Sequence, residues 1–261
     1  MSGLPNLGNT CYINSIIQCL RYQRHFVRLL KNYNAEKDSK FHQYFIDLMF
    51  ADASDQILRD FIFELSTHNK EFSLFKQCDA HELFLYLVDN FYEKHDLINP
   101  FEGAYESKVY CDCGYESITT QKFISLSLNI KSSTKQMLED FQTVEELEIK
   151  CKCSKLLKKK IFINKYPSVL VIHLKRFSNG NKKIHDQVNL DAPHSFKLTG
   201  ICNHSGETQS GHYTSAVLKG HGGWQMCNDI HTQELAHLPE KSRLPYILFF
   251  EKYKRKHSDI K

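Results

Sequence analysis

A change of hydrophobic period near Pro100 divides this sequence into two kinds of chain. Before it, apolar residues recur at the three- and four-residue intervals of a helix face. Ile13, Ile16, Ile17 and Leu20 do so after Cys11, as do Phe41, Tyr44, Phe45, Leu48 and Met49, and Ala80, Leu83, Phe84, Leu87, Val88 and Phe91. After Pro100, residues 118–130 alternate and 161–177 are rich in β-branched side chains. Shorter strand-like runs at 195–201, 212–218 and 246–253 are separated by turns containing Gly or Asn. One short helix is expected over Thr134–Phe141. Helices first and strands afterwards predict an α+β fold in place of alternating βαβ units. No linker divides the sequence, so residues 1–253 read as a single domain, followed by a basic tail at 254–261.

With 261 residues the chain can bury a self-supporting core. Its apolar runs, such as Val169–Ile172, are far too short to span a bilayer. The first residues lack the basic-then-apolar order of a secretory signal. The net charge of +4 decides little, because the lysine runs at 158–160, 182–183 and in the tail are short and read as solvated surface. These features lead us to expect an intracellular protein, cytoplasmic, nuclear or both, without nucleic-acid or membrane partners. Nine cysteines, an odd number with no export signal, argue against a disulfide framework and turn attention to thiol chemistry or metal binding.

Gly8-Asn9-Thr10 runs into an amphipathic helix that leaves Cys11 in or near its first turn. Unpaired N–H groups and the positive end of the helix dipole stabilise a thiolate there, and the turn offers amides to an oxyanion. A buried inert thiol is the commoner outcome for such a cysteine. Far along the chain, Ser210-Gly211-His212-Tyr213 enters a strand, and Trp224 precedes Asn228-Asp229 at the end of another. That layout can set a carboxamide or carboxylate beside an imidazole and fix its tautomer. Spacing alone leaves a cysteine hydrolase and a set of structural residues level.

Five segments together resemble the ubiquitin-specific protease family of cysteine deubiquitinases. Gly3–Leu20 is similar to its cysteine box, and Gln77-Cys78-Asp79-Ala80-His81-Glu82-Leu83 to its Gln-Gln-Asp-Ala-x-Glu-Phe helix. Tyr166–Phe177 resembles a central strand signature. Asn203–Gly206, Gly211-His212-Tyr213 and Trp224 with Asn228-Asp229 resemble the histidine box, and Tyr246–Phe250 a closing strand. The matches run in family order over nearly the whole chain.

The resemblance implies a papain-like fold with a helical thumb at about 1–98, fingers at about 101–165 and a palm from the remainder. It implies hydrolysis of the bond after the C-terminal glycine of ubiquitin, on ubiquitin and ubiquitinated proteins, by a chain expected to act as a monomer. By matched position Cys11 is the nucleophile, His212 the base and then acid, and Asn228 the residue that orients His212. Asp229 is a supporting or substitute partner, and Asn6 supplies the oxyanion-hole amide. No catalytic cofactor is implied. Ubiquitin's tail is extended, carries arginines and ends in glycines, so its groove needs carboxylates and a constriction. Asp79 is the matched candidate, with Glu82 on the same helix face. Tyr213 is a channel wall, and His204 borders the substrate loop. The polar loop 205–211 suits a movable lip over the tail. Cys78 stands where the family has a second Gln.

Two Cys-x-Cys pairs, Cys111/Cys113 and Cys151/Cys153, satisfy the ligand count of a structural Cys₄ zinc site that would close the fingers. Their one-residue spacing is tighter than the family's usual two, which leaves metal-free fingers as the other outcome. Cys19 reads as core, Cys202 and Cys227 lie on strands without an assigned role, and His173 and His185 read as structural. Two other activities remain open: a catalytically silent ubiquitin-binding module, and a papain-like protease for another ubiquitin-like modifier.

Overall fold

A computed structural model describes residues 2–33, 39–50, 55–93, 97–177, 182–193, 195–207 and 210–253. The tail expected at 254–261 lies outside these residues. The described helices α1 (Cys11–Arg21), α2 (Arg24–Lys31), α3 (Lys40–Phe50), α4 (Asp55–His68) and α5 (Ala80–Glu93) come first. They are followed by β1 (Gly103–Tyr110), β2 (Glu116–Phe123), β3 (Leu126–Leu128), α6 (Thr134–Phe141), β4 (Glu145–Lys150), β5 (Leu156–Lys165) and β6 (Val169–Leu174). The remaining strands are β7 (Val188–Asn189), β8 (Phe196–Ser205), β9 (His212–Leu218), β10 (Trp224–Asn228), β11 (His231–Leu235), β12 (Lys241–Ser242) and β13 (Pro245–Lys252). The short helix has its expected bounds, and Ser133 caps it by accepting the Gln136 N–H. The long run at 161–177 breaks into β5 and β6 around Pro167, which has no N–H to give a ladder. α2 lies in the part that reads as helical; it buries Phe26 and Leu30 and packs Val27 and Leu29 partly against the same core.

Seven strands form one sheet in the order β11-β10-β9-β8-β13-β6-β3, antiparallel except for β3 beside β6. Both of its faces are covered. Val169, Val171, Val217, Ile247 and Phe249 join the core shared with the helices. Their alternates Leu170, Ile172, Ala216, Leu248 and Phe250 join a second core with Met137 and Leu138 of α6. Double coverage is why β6 and β13 read as continuous apolar runs. All eleven residues of α1 are buried against the first face. Ile13, Ile16, Ile17 and Leu20 have no exposed surface, and each such side chain contributes about 1.5–3 kcal/mol. The helix that begins with Cys11 is therefore fixed from many sides.

The smaller sheet, β2-β1-β5-β4, has little core of its own. β2 buries only Phe123, and β4 buries no residue. Its base is held by Phe123 and by Tyr105, whose ring meets Phe141 of α6 edge-on at 5.7 Å between centroids. Strands with so little apolar burial are marginal alone, and the cysteine pairs lie at the turns that end them. No helix among the described residues is long and apolar enough to cross a membrane.

Candidate active site

Cys11 opens α1, and the turn before it is wound tightly around Asn6. Gly8 and Asn9 take positive φ in succession, +111° and +55°. Asn6 Oδ1 accepts the N–H groups of Gly8 (3.1 Å) and Thr10 (3.2 Å), and Thr10 Oγ1 accepts that of Leu7 (3.0 Å). The nearby backbone amides of Tyr213, Tyr12 and Cys11 favour the Cys11 thiolate. Burial is the larger influence and, with the charge of Asp229, holds the thiol above its ordinary pKa. Burial and Asp229 thus oppose the thiolate, and the sulfur needs a base.

Tyr213 brings β9 against the sulfur, and His212 is the residue before it. His212 Nε2 meets Asn228 Oδ1 of β10 at 2.7 Å. Assigned from that acceptor, the Nε2 carries the proton and Nδ1 keeps the lone pair. Asp229 Oδ2 is farther from Nε2, at 4.0 Å. Its carboxylate is occupied elsewhere, accepting Asn6 Nδ2 at 2.9 Å and Asn14 Nδ2 at 2.8 Å. Asp229 also has φ +50°, and its carbonyl accepts the Leu4 N–H. Gly3 lies so close to this turn that an added Cβ would sit 2.3 Å from the Ile230 carbonyl oxygen. The turn after β10 and the cysteine turn are therefore locked together by their backbones and by one carboxylate. Asn14 was missed in the sequence. The same helix also buries Gln18 and Arg21, so an amide at this position did not stand out by its type.

Asp79 precedes α5 and caps it, Oδ1 accepting the His81 N–H (2.7 Å) and the Glu82 N–H (3.1 Å). Its Oδ2 accepts the hydroxyl of Tyr246. Glu82 is exposed one turn along, its carboxyl pushed up by partial burial and by Asp79. Tyr213 is buried, its ring 4.7 Å from His204 and 5.9 Å from Tyr246 between centroids. His204 is buried under the loop. Its Nδ1 is 2.9 Å from Lys183 Nζ, and a Cβ on Gly211 would fall 1.9 Å from its Nε2. Burial and the Lys183 charge push its pKa down to about 4, so it is neutral at pH 7. Gln77 Nε2 donates to the Gly211 carbonyl at 3.1 Å and ties the start of α5 to the loop. Residues 208 and 209 of the expected lip lie outside the described residues. Cys78 turns its thiol onto the Glu71 carbonyl at 3.0 Å.

Of the remaining histidines, His173 stacks on His81 at 4.0 Å between centroids, and its Nδ1 meets Ser127 Oγ at 2.9 Å. Burial lowers its pKa to about 3, in keeping with a structural role. Cys19, Cys202 and Cys227 are buried.

The four cysteines of the small sheet converge. Cys111 Sγ lies 3.5 Å from Cys153 Sγ, Cys113 Sγ lies 3.6 Å from Cys151 Sγ, and all four sulfurs fall within 4.8 Å of one another. Zn–S bonds of about 2.3 Å in a tetrahedron set sulfurs about 3.8 Å apart, so the cluster can hold a zinc ion. The two halves repeat one backbone design. In each, the first cysteine carbonyl accepts the N–H three residues on, from Gly114 or Ser154, and that residue has positive φ, +95° or +67°. These turns let Cys-x-Cys do what two-residue knuckles do elsewhere.

Comparison with known proteins gives one consistent result. Residues 2–250 match the family model of ubiquitin carboxyl-terminal hydrolases. Ubiquitin carboxyl-terminal hydrolase 25 of Arabidopsis thaliana is 31% identical over 99% of this chain and 48% of its own length. Ubiquitin carboxyl-terminal hydrolase 8 of Saccharomyces cerevisiae is 26% identical over 96% of this chain and 70% of its own. The chain thus spans about half the length of the plant relative. Among solved structures, the SAGA Ubp8/Sgf11/Sus1/Sgf73 DUB module bound to ubiquitin aldehyde superimposes with a TM-score of 0.82 at 24% identity, over 98% of this chain and 70% of that one. A second structure of the Ubp8-Sgf11-Sgf73-Sus1 module gives 0.79 at 27% identity, over 97% and 68%.

Proposed function

Because this chain belongs to the ubiquitin carboxyl-terminal hydrolase family, we propose that it is a thiol-dependent deubiquitinase acting after the last glycine of ubiquitin. The observation that supports this most directly is the packing together of three segments that carry the matched residues. Cys11 heads α1, β9 and β10 pack against that helix, and His212 at the start of β9 is paired with Asn228 of β10.

In this reading, His212 Nδ1 takes the Cys11 proton, and the thiolate attacks the carbonyl carbon of the terminal glycine. An amide nitrogen carries two N–H groups. Asp229 holds one of those on Asn6, and the other serves the oxyanion beside the Cys11 N–H. Asn228 keeps His212 in the tautomer that can accept a proton, and Asp229 acts mainly by fixing Asn6. His212 then protonates the departing lysine amine, the C–N bond breaks, and water hydrolyses the thioester. Cys111, Cys113, Cys151 and Cys153 would hold a zinc ion that stiffens the small sheet; as a four-thiolate site it would be structural and supply no reaction chemistry. The protein works inside the cell, in cytoplasm, nucleus or both. The Ubp8 structures are of multi-protein modules, so partner proteins are an alternative to a lone chain.

A ubiquitin bearing a C-terminal electrophile tests the reading. A covalent adduct mapped to Cys11 is expected. Reversible binding without an adduct would favour a silent binding module, and an adduct formed only with another modifier would favour a different substrate.

Asp79 is assigned to an arginine of the ubiquitin tail, with Glu82 beside it and Tyr213 over His204 as the floor. Alanine at 79 would also remove a helix cap, so asparagine, which caps equally well, is the cleaner change. Losing one charge-assisted pair of about 1.5–3 kcal/mol should raise KM about 10- to 100-fold, with kcat nearly unchanged. An unaltered KM for Asp79→Asn, measured on a fluorogenic ubiquitin substrate, would remove Asp79 from the tail site.

A further inference from the structure

Phe75 breaks two rules at once. It has φ +66°, a left-handed conformation that disfavours a residue with a β-carbon, and its ring is 75% exposed. Neither feature helps the chain fold. Both are explained by what Phe75 touches. Its ring lies on Gly8, where an added Cβ would fall 2.6 Å from ring atoms Cδ1 and Cε1. Its N–H donates to the Gly8 carbonyl at 3.1 Å, and its own carbonyl accepts Asn9 Nδ2 at 2.7 Å. Phe75 and its neighbours thus form a clip on the cysteine turn, which the Asn6 side chain also holds through Gly8 and Thr10. Two residues on, Gln77 fastens the same segment to Gly211.

We infer that Phe75 is a positioning residue, whose strained backbone and ring press the Gly8-Asn9-Thr10 turn into the shape that aims Asn6 and the Cys11 N–H at the oxyanion. The inference rests on the deubiquitinase reading above and deepens it. Strained residues of this kind persist where the surrounding structure over-determines them, and they cluster at functional sites. The ring also covers the glycine that makes the double left-handed turn possible, so without it the turn loses its outer wall.

Glycine at 75 separates geometry from stability, since it relaxes the φ strain while removing the ring. Phe75→Gly should keep or raise the melting temperature and bind ubiquitin with unchanged KM, yet lose about tenfold in kcat, within the range for a partly misplaced oxyanion donor. Alkylation of Cys11 by iodoacetamide, which forms no oxyanion, should proceed at the wild-type rate. Phe75→Tyr, which keeps the ring, should recover the lost turnover. A Phe75→Gly enzyme within about twofold of wild-type kcat overturns the inference, as does a parallel fall in alkylation or a failure of tyrosine to recover turnover. Wild-type protein that does not hydrolyse ubiquitin conjugates would instead overturn the functional reading itself.

Discussion

Cys11→Ala is expected to lower kcat on a fluorogenic ubiquitin substrate by at least about 10⁴-fold, the scale on which loss of a nucleophile acts in other hydrolases. Ubiquitin should remain bound, as read by fluorescence anisotropy, because the side chain is buried and the groove is formed by other residues. The alanine also removes a thiol whose burial and Asp229 neighbour disfavour ionisation, so the variant should fold with at most a small loss from the vacated sulfur volume. Cys11→Ser should behave in the same way, since an alcohol is far harder to deprotonate than a thiol. Continued cleavage by either variant would place the nucleophile elsewhere and dissolve the role given to His212.

Stripping zinc should act on the other end of the molecule. Elemental analysis of protein purified without chelator is expected to find about one zinc per chain, the stoichiometry of a Cys₄ site. Removing it with a strong chelator, or replacing Cys113 and Cys151 by serine, should release the outer strands of the small sheet. β2 and β4 bury almost nothing, while structural zinc contributes about 10 kcal/mol or more in small domains. Amide exchange in β2 and β4 should therefore accelerate at least about 100-fold. Exchange in β8 and β13 should hold, since these strands have their own two-sided core. Well under one zinc per chain, with unchanged exchange in β2 and β4, would mean that the thiols alone close the small sheet.

The α+β order, α6 and most palm strands could be read from the sequence because their periods are carried by side chains that pack in the structure. β9 keeps the bounds expected for it, and β13 differs by one residue at each end. What escaped was set by distant partners. The N-terminus of α2 is completed by Glu251 of β13, which accepts the His25 N–H at 3.0 Å and pairs with Arg24 at 2.8 Å. The sequence offers no local sign of that. The candidate site shows the same division. Cys11, His212 and Asn228 stand in legible motifs, but the carboxylate of Asp229 goes to Asn6 and Asn14, more than two hundred positions away. Phe75 carries no motif, because its importance is a backbone angle. The cysteine pairs were legible as ligands, while the left-handed residues after them explain how so short a spacing works.

The position of α1 has a bearing on how the protein fails. The Cys11 sulfur stands at the head of a rod enclosed along its whole length by one of the two cores. On warming, the sheet that carries the four cysteines can loosen and return many times before that rod is disturbed. Heat inactivation should consequently be recoverable until the central layers come apart, and from then on follow the melting of the entire palm.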